Sequence, residues 1–423
     1  SAVPVVGTMM FVRVPRIDTP AFCDDYRTIQ ARVVYTGTHS IILEDVQAPL
    51  AGLMDKDYQS VGAEFDQTTY NIITSNFGDP MALDASLGGP SRVTMLFTPA
   101  VNEMGPTGFV VSCDFYPATS VASSNQREMF YAVVPTSTAT GFYGEFTRDV
   151  WRHIIRVTIA HETKHIASMA EHFARQAPDQ EESWLEEGTA MHAMELWART
   201  VTSMRWKGGS GYTSALYCDV RPNVASCGGQ PYTMFDHFAY LYDFLSPSER
   251  HTPLGSTDPY DASFYGSVWW LVRWSIDQYA TDEGAFLRAL TQEPTLSGVA
   301  NLSARTGRPW ADLVRDWSLA TLTSFAAPTF TPHDARLTIP SWHLRDVSDG
   351  MARDFPNDFG SGLLTSHFQG CAASPTVIHA MPPGGISFYY LDTCDGWKNF
   401  FRFQSDAGGS PSSALSIGLV RIQ

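Results

Sequence analysis

His161, Glu162, Thr163, Lys164 and His165 spell HExxH once in this 423-residue chain. The string lies inside RDVWRHIIRVTIAHETKHIASMAEHFAR, where apolar residues recur at helical spacing. On a helix, residues four apart share a face. His161 and His165 can therefore hold one metal ion between them, with Glu162 beside it as a general base. The chemistry this implies is zinc-dependent hydrolysis of a peptide bond: a water is activated at the ion, Glu162 takes its proton, and the proton passes on to the leaving amine. Two solvated histidines on a surface helix would produce the same five letters, so the case depends on a third ligand.

One route to that ligand is a tight turn soon after the second histidine. The turn would need Gly three residues on and a donor three beyond that, but those positions hold Ser168 and Glu171. His172 shares the face of His161 and His165, yet it lies about 10 Å further along the axis than His165, too far for a metal–nitrogen bond near 2 Å. The other route is a carboxylate from a second helix. The loop RQAPDQEE, with Pro178, can end the first helix. SWLEEGTAMHAMELW can then fold back against it, and Glu186 and Glu187 are both candidates. Glu195 follows Glu187 by eight residues, about two turns, and could support His161 or His165 from behind; a solvated carboxylate explains it equally well. His192 is five residues from Glu187, on a different face, and reads as structural.

The elements that must carry these residues are legible in outline. Two β-rich runs between Ala31 and Asp45 flank Gly37–His39 as a hairpin. Residues 57–76 read as a helix, followed by strands at Val93–Phe97, Gly108–Tyr116 and Met129–Val134. The metal helix spans about Thr147 to Arg175, and its partner about Glu181 to Thr200. A long irregular stretch, RWKGGSGYTSALYCDVRPNVASCGGQP, precedes further helices that run to about Phe325. Beyond Ala326, Pro, Ser, Gly and Asp become frequent, and SFYYLDT, NFFRFQS and ALSIGLVRIQ read as strands.

HExxH followed by WLEEGTA at 184–190 resembles the gluzincin zinc peptidases, and the wider likeness is to the hyicolysin-type bacterial neutral metallopeptidases. It extends through ARVVYTGTHSIILEDV, AEFDQTTYNIITSNFGDP, VTMLFTPAVNEMGPTGFVVSCDFYP and NQREMFYAVVP before the motif. After it come GSVWWLVRWSIDQYATDEGAFLRALTQ and NLSARTGRPWADLVRDWSLA, so the likeness covers roughly residues 28–325. In that family the Glu directly before Gly ligates zinc, which selects Glu187, and Glu186 fills a position that is often Asn. The resemblance implies a second donor for the oxyanion, commonly Tyr or His. Tyr265, which starts the helix after the metal site in the family pattern, is the first choice and Tyr260 the second. It also implies an edge strand that pairs with an extended substrate, here Gly108–Tyr116. Where relatives often carry an Asp-rich, calcium-like loop after FGDP, this chain has MALDASLGGPSR and offers no support for calcium. Cys113 stands where relatives commonly have a small residue, which suggests a disulfide.

The fold expected is α+β: an N-terminal β extension over 1–27, a zincin-like domain over 28–325 with a mixed sheet ahead of a helical half, and an all-β domain over 326–423. Appended β-domains often bind a surface or polymer, or cap the catalytic domain; Trp397, Phe400 and Phe401 read as core. Hydrophobic residues make up 44% of the chain, ample for such cores, and the net charge of −16 argues against a nucleic-acid partner. No apolar stretch reaches 18 residues, so no membrane span is expected. Cys218 and Cys227 flank one loop and Cys371 and Cys394 bracket a strand pair, which leaves Cys23 with Cys113, one of 15 pairings that six cysteines allow. Disulfides imply secretion, with any signal peptide already removed. A secreted zinc endopeptidase is the reading preferred. An aminopeptidase ranks lower, since no GxMEN-like segment precedes the motif. The contrasting expectation is an adhesive protein that binds zinc on the same scaffold with little turnover; it has no need of Glu162.

Overall fold

The computed structural model describes residues 2–136, 146–216, 234–258, 261–326, 331–364, 367–369, 381–391, 407–410 and 412–420. Cys218, Cys227, Cys371, Cys394, Tyr260, Trp397, Phe400 and Phe401 lie outside them, as does the NFFRFQS segment. The architecture is mixed α+β, a six-stranded sheet followed by a helical region. Two compact units are present. The first gathers the described residues of 1–204, 217–235 and 281–305, and the second those of 205–216, 236–280 and 306–423.

In the first unit the sheet comprises β1 (Met9–Pro15), β2 (Tyr26–Thr36), β3 (Ser40–Asp45), β4 (Val93–Phe97), β5 (Gly108–Phe109) and β6 (Met129–Ala132), in the order β1-β2-β3-β4-β6-β5. β1, β2 and β3 are antiparallel neighbours, so residues 9–15 extend the same sheet. The β2–β3 turn forms as expected. Asp66 holds it by accepting from the backbone of Thr38 and His39 and from the Ser40 hydroxyl. β3, β4 and β6 run parallel and are buried along their whole length, and parallel neighbours need crossovers. The first is a helical run, α1 (Asp55–Glu64), a π turn at Phe65–Thr69, and α2 (Tyr70–Asn76). This matches the expected helix at 57–76.

β5 is shorter than expected. Only Gly108 and Phe109 pair, antiparallel to β6, and Ser112–Phe115 turns into a 3-10 helix. The reason is local side-chain chemistry. The buried Asp114 carboxylate accepts from the Asn125 amide N–H and the Tyr131 hydroxyl, and Cys113 is bonded to Cys23 with Cα atoms 5.6 Å apart. These ties pull the chain out of the ladder. The expected pairing of Cys23 with Cys113 is therefore present.

Next comes the long helix α5 (Arg148–Ala174). Thr147 caps it by accepting from Val150 N. Its start is pinned to the sheet, where the Trp151 indole donates to Val133 O and lies edge-on to Tyr58 and Phe97. Arg148 and Arg152 pair with Asp57, and Arg156 pairs with Glu64. The partner helix α6 (Ser183–Thr202) packs along α5 after the Pro178 loop. Both helices fall within two residues of the sequence expectation.

The second unit is organised on the helix Ala262–Tyr279, whose Trp269, Trp270 and Trp274 are fully buried. Trp270 donates to Thr321 in the helix Trp310–Thr323, and Trp274 donates to the Arg336 carbonyl. The described part of 326–423 is not a run of strands. It contains a helix at Leu344–Asp354, in which Leu344, Val347 and Met351 recur at helical spacing and are buried. The strands His367–Gln369 and Tyr389–Leu391 have three residues each and pair in parallel. Only Tyr389–Leu391 falls within an expected strand; residues 414–420 carry no regular element. Ser341 bonds to Asp277, and Asp346 accepts from Tyr212 N. The described residues from 331 to 364 thus pack into the helical unit.

Candidate metal centre

α5 and α6 place His161, His165 and Glu187 together. Glu187 Oε2 lies 3.1 Å from His161 Nε2 and 3.6 Å from His165 Nε2, and the three donor atoms all fall within 4.8 Å of one another. This is the sole such group among the described residues. The donor set suits zinc. Ligands at about 2.1 Å in tetrahedral array stand about 3.4 Å apart, close to the two distances found. Glu187 Oε2 is also buried without a hydrogen-bond donor. A buried carboxylate oxygen facing two ring nitrogens is a donor set that could hold a divalent cation.

Glu186 does not join the triad. Its Oε1 lies 2.7 Å from His165 Nδ1, on the far side of the ring. In a neutral ring, Nδ1–H donating there would turn the Nε2 lone pair toward Glu187, the orientation a metal ligand needs. The other Glu186 oxygen lies 2.6 Å from Lys164 Nζ and accepts from the Ser168 hydroxyl at 2.8 Å. Lys164 Nζ also donates to the Glu186 backbone carbonyl. Lys164 is fully buried, and an unpaired charge so buried would cost several kcal/mol.

The electrostatics follow from this packing. Burial works against the charge on His165, but the Glu187 and Glu186 carboxylates outweigh it and lift its pKa to about 10. Burial would raise Glu186, yet Lys164 and His165 bring it down to about 2. Glu187 is likewise held well below the usual carboxylate range by His165 and His161, against its own burial. The negative field that favours a proton on His165 in the metal-free protein favours a divalent cation at the same place.

Glu162 is 4% exposed. Burial raises its pKa, with His161 and His165 opposing. It abuts β5, the outer strand of the sheet: a methyl group on Gly108 would come 2.9 Å from Glu162 Cγ and 2.9 Å from Thr158 Cγ2. Glu162 therefore sits against the backbone of an edge strand.

Other expected residues are placed elsewhere. Glu195 is buried between His192 and Arg199 of its own helix, at 3.7 and 3.3 Å, and Arg199 continues to Glu283. The support expected from Glu195 for His165 comes from Glu186 instead. Tyr265 belongs to the second unit, in the first turn of the helix capped by Asp261, beside Phe264 and Tyr240. Glu171 accepts from Asp79 N and Gln292 and pairs with Arg175, so it ties α5 to its surroundings. Asp84, in the loop considered for calcium, accepts from the backbone and hydroxyl of Ser91.

Sequence reasoning missed the parts played by Lys164, Ser168 and Gly108. The one available signal was a lysine in the buried stretch of a helix. Comparison with models of known protein families and with curated proteins finds no match for this chain.

Proposed function

We propose that this chain is a secreted, zinc-dependent endopeptidase of gluzincin type, with a zincin-like catalytic unit built on the sheet, α5 and α6. The observation that carries the reading is the convergence of His161, His165 and Glu187 beside a buried carboxylic acid, Glu162. Bound by those three residues, zinc would lower the pKa of a water towards about 7 and polarise the scissile carbonyl.

The remaining steps belong to the chain. Glu162 is the group that accepts the proton of the attacking water and returns it to the leaving amine. A raised pKa suits that double task, because a base is most effective when its pKa approaches the working pH. Glu186 keeps His165 in one tautomer. β5 is an edge strand against Glu162, the position from which a strand can pair with an extended polypeptide, which favours peptide and protein substrates. Tyr265 is proposed as the oxyanion donor on the family resemblance. The Cys23–Cys113 disulfide is of the kind found outside a reducing cytosol. No helix among the described residues is long and apolar enough to cross a membrane.

The test is cleavage of denatured casein by the zinc-loaded protein and by Glu162→Gln. The variant should lose about 10²- to 10⁴-fold in turnover while keeping its metal. Equal cleavage by both, or none by the zinc-loaded wild type, would overturn the proposal.

A further inference from the structure

We propose that Lys164, one of the two variable residues of the HExxH string, is a positioning residue of the metal centre. It acts as a buried counter-charge that lets Glu186 orient His165. The inference rests on reading the site as a metal centre and concerns the part of it that the motif leaves undefined.

The chain of contacts is continuous. Lys164 Nζ is 2.6 Å from Glu186 Oε2 and also donates to the Glu186 carbonyl at 3.1 Å. Ser168 donates to that same Oε2. Both contacts fix the Glu186 carboxylate, and its free oxygen, Oε1, meets His165 Nδ1 at 2.7 Å. A carboxylate held at two points on one oxygen has little freedom to swing, so the ring it accepts from is fixed in tautomer and in plane. Lys164 reaches no ligand itself, and its effect on the metal passes through Glu186.

Charge explains why a lysine is needed. Glu162, Glu186 and Glu187 bring three negative charges into one largely buried cluster. A divalent ion supplies two positive charges and Lys164 the third, with both imidazoles neutral. Remove Lys164 and the occupied site carries one excess negative charge where burial penalises it; remove only the Glu186 charge and the buried ammonium is stranded. The two residues should behave as one unit, each damaging alone and less so when replaced together.

The experiment uses the full chain as wild type, Lys164→Met, Glu186→Gln and the double variant. Gln keeps an oxygen for His165 Nδ1–H, and Met keeps the length of lysine without its charge. Zinc affinity is measured by competition with a chelator, and the visible absorption of the cobalt(II)-loaded protein reports coordination geometry independently of activity. Each single variant should bind zinc about 10- to 100-fold more weakly and shift the cobalt spectrum; the double variant should recover most of both. Should Lys164→Met not fold, the comparison is between Glu186→Gln and the double variant, with recovery in the double still expected. Unchanged affinity and spectrum in a folded Lys164→Met, or a double variant no better than Glu186→Gln, would overturn the proposal. A wild type that takes up neither zinc nor cobalt would instead overturn the metal-centre reading, and this proposal with it.

Discussion

Replacing Gly108 with Ala probes the proposed catalytic base without replacing it. The backbone there is outside the left-handed region, so alanine brings no conformational strain of its own. The effect is steric. The new methyl would stand 2.9 Å from both Glu162 Cγ and Thr158 Cγ2, and 3.1 Å from Glu162 Oε1. Carbon atoms in contact prefer about 3.5–4.0 Å, so each pair is short by about 0.6–1 Å. Thr158 is buried and its hydroxyl bonds to the Ile154 carbonyl of α5, which leaves the longer Glu162 side chain to move. A displacement near 1 Å in a reacting group costs about 10²-fold in rate, or about 2.7 kcal/mol in the barrier. Overpacking should lower stability by about 1–3 kcal/mol. We therefore expect kcat/KM on a polypeptide to fall about 10²-fold while zinc affinity stays near wild type, because none of the three ligands is displaced. The assay pairs initial rates on casein with chelator competition and thermal unfolding. Activity within threefold of wild type in a folded, zinc-loaded Gly108→Ala would refute the placement of Glu162 against β5. Loss of zinc together with activity would show that the strain reaches the ligands.

Two further expectations concern the fold that holds the site. Glu128 is fully buried, its carboxylate oxygens meet no side-chain partner among the described residues, and burial, aided by Asp84 and Asp79 and opposed by its own backbone N–H, pushes its pKa to about 7. Its folded pKa lies above the unfolded value, so its contribution to stability is present below the unfolded pKa and is lost as pH rises through about 7. Glu128→Gln should thus match wild type near pH 4 and exceed it by up to about 3 kcal/mol at pH 8 in denaturant titrations; a pH-independent difference would contradict this account of Glu128. The Cys23–Cys113 bond closes a loop with a sequence separation of 90. Replacing both cysteines with alanine should lower unfolding free energy by about 4–5 kcal/mol on the chain-entropy estimate, and a loss under 1 kcal/mol would mean that the unlinked segments are already held together by other contacts.

The site was legible where it depends on helix periodicity. α5 and α6 fall within two residues of the expected bounds because a long apolar pattern and the Pro178 loop point to them. Glu187 over Glu186 was less secure, since neighbours on a helix differ by about 100°. The structure uses both, one on each nitrogen of His165, because the imidazole nitrogens face opposite sides of the ring. The Glu195 reading shows the limit of counting turns. Eight residues return to the same face but advance about 12 Å along the axis, enough to place the carboxylate beside Arg199. β5 was overestimated because the bonds that end it run from side chains to residues distant in sequence, such as Asp114 to Tyr131, and leave no trace in local pattern. The helix at Leu344–Asp354 was readable from its apolar spacing but was overshadowed by the Pro, Ser and Gly around it.

What separates the α5–α6 contact from ordinary helix packing is its content. Glu162, Lys164 and His165 are at most 8% exposed, in a stretch whose other buried residues include Ile159, Ala160, Ile166 and Ala167. A pair of helices selected for stability alone would carry small or aliphatic side chains at those positions, since polar groups taken from water gain at best part of what they lose. Here four of the polar groups satisfy one another. Lys164 and Ser168 hold Glu186, and Glu186 holds His165. The buried Glu187 Oε2 faces His161 and His165 instead. Departures from local packing rules are expected where function requires them. That oxygen lies at the point where the two imidazoles converge, which is the place a cation would complete.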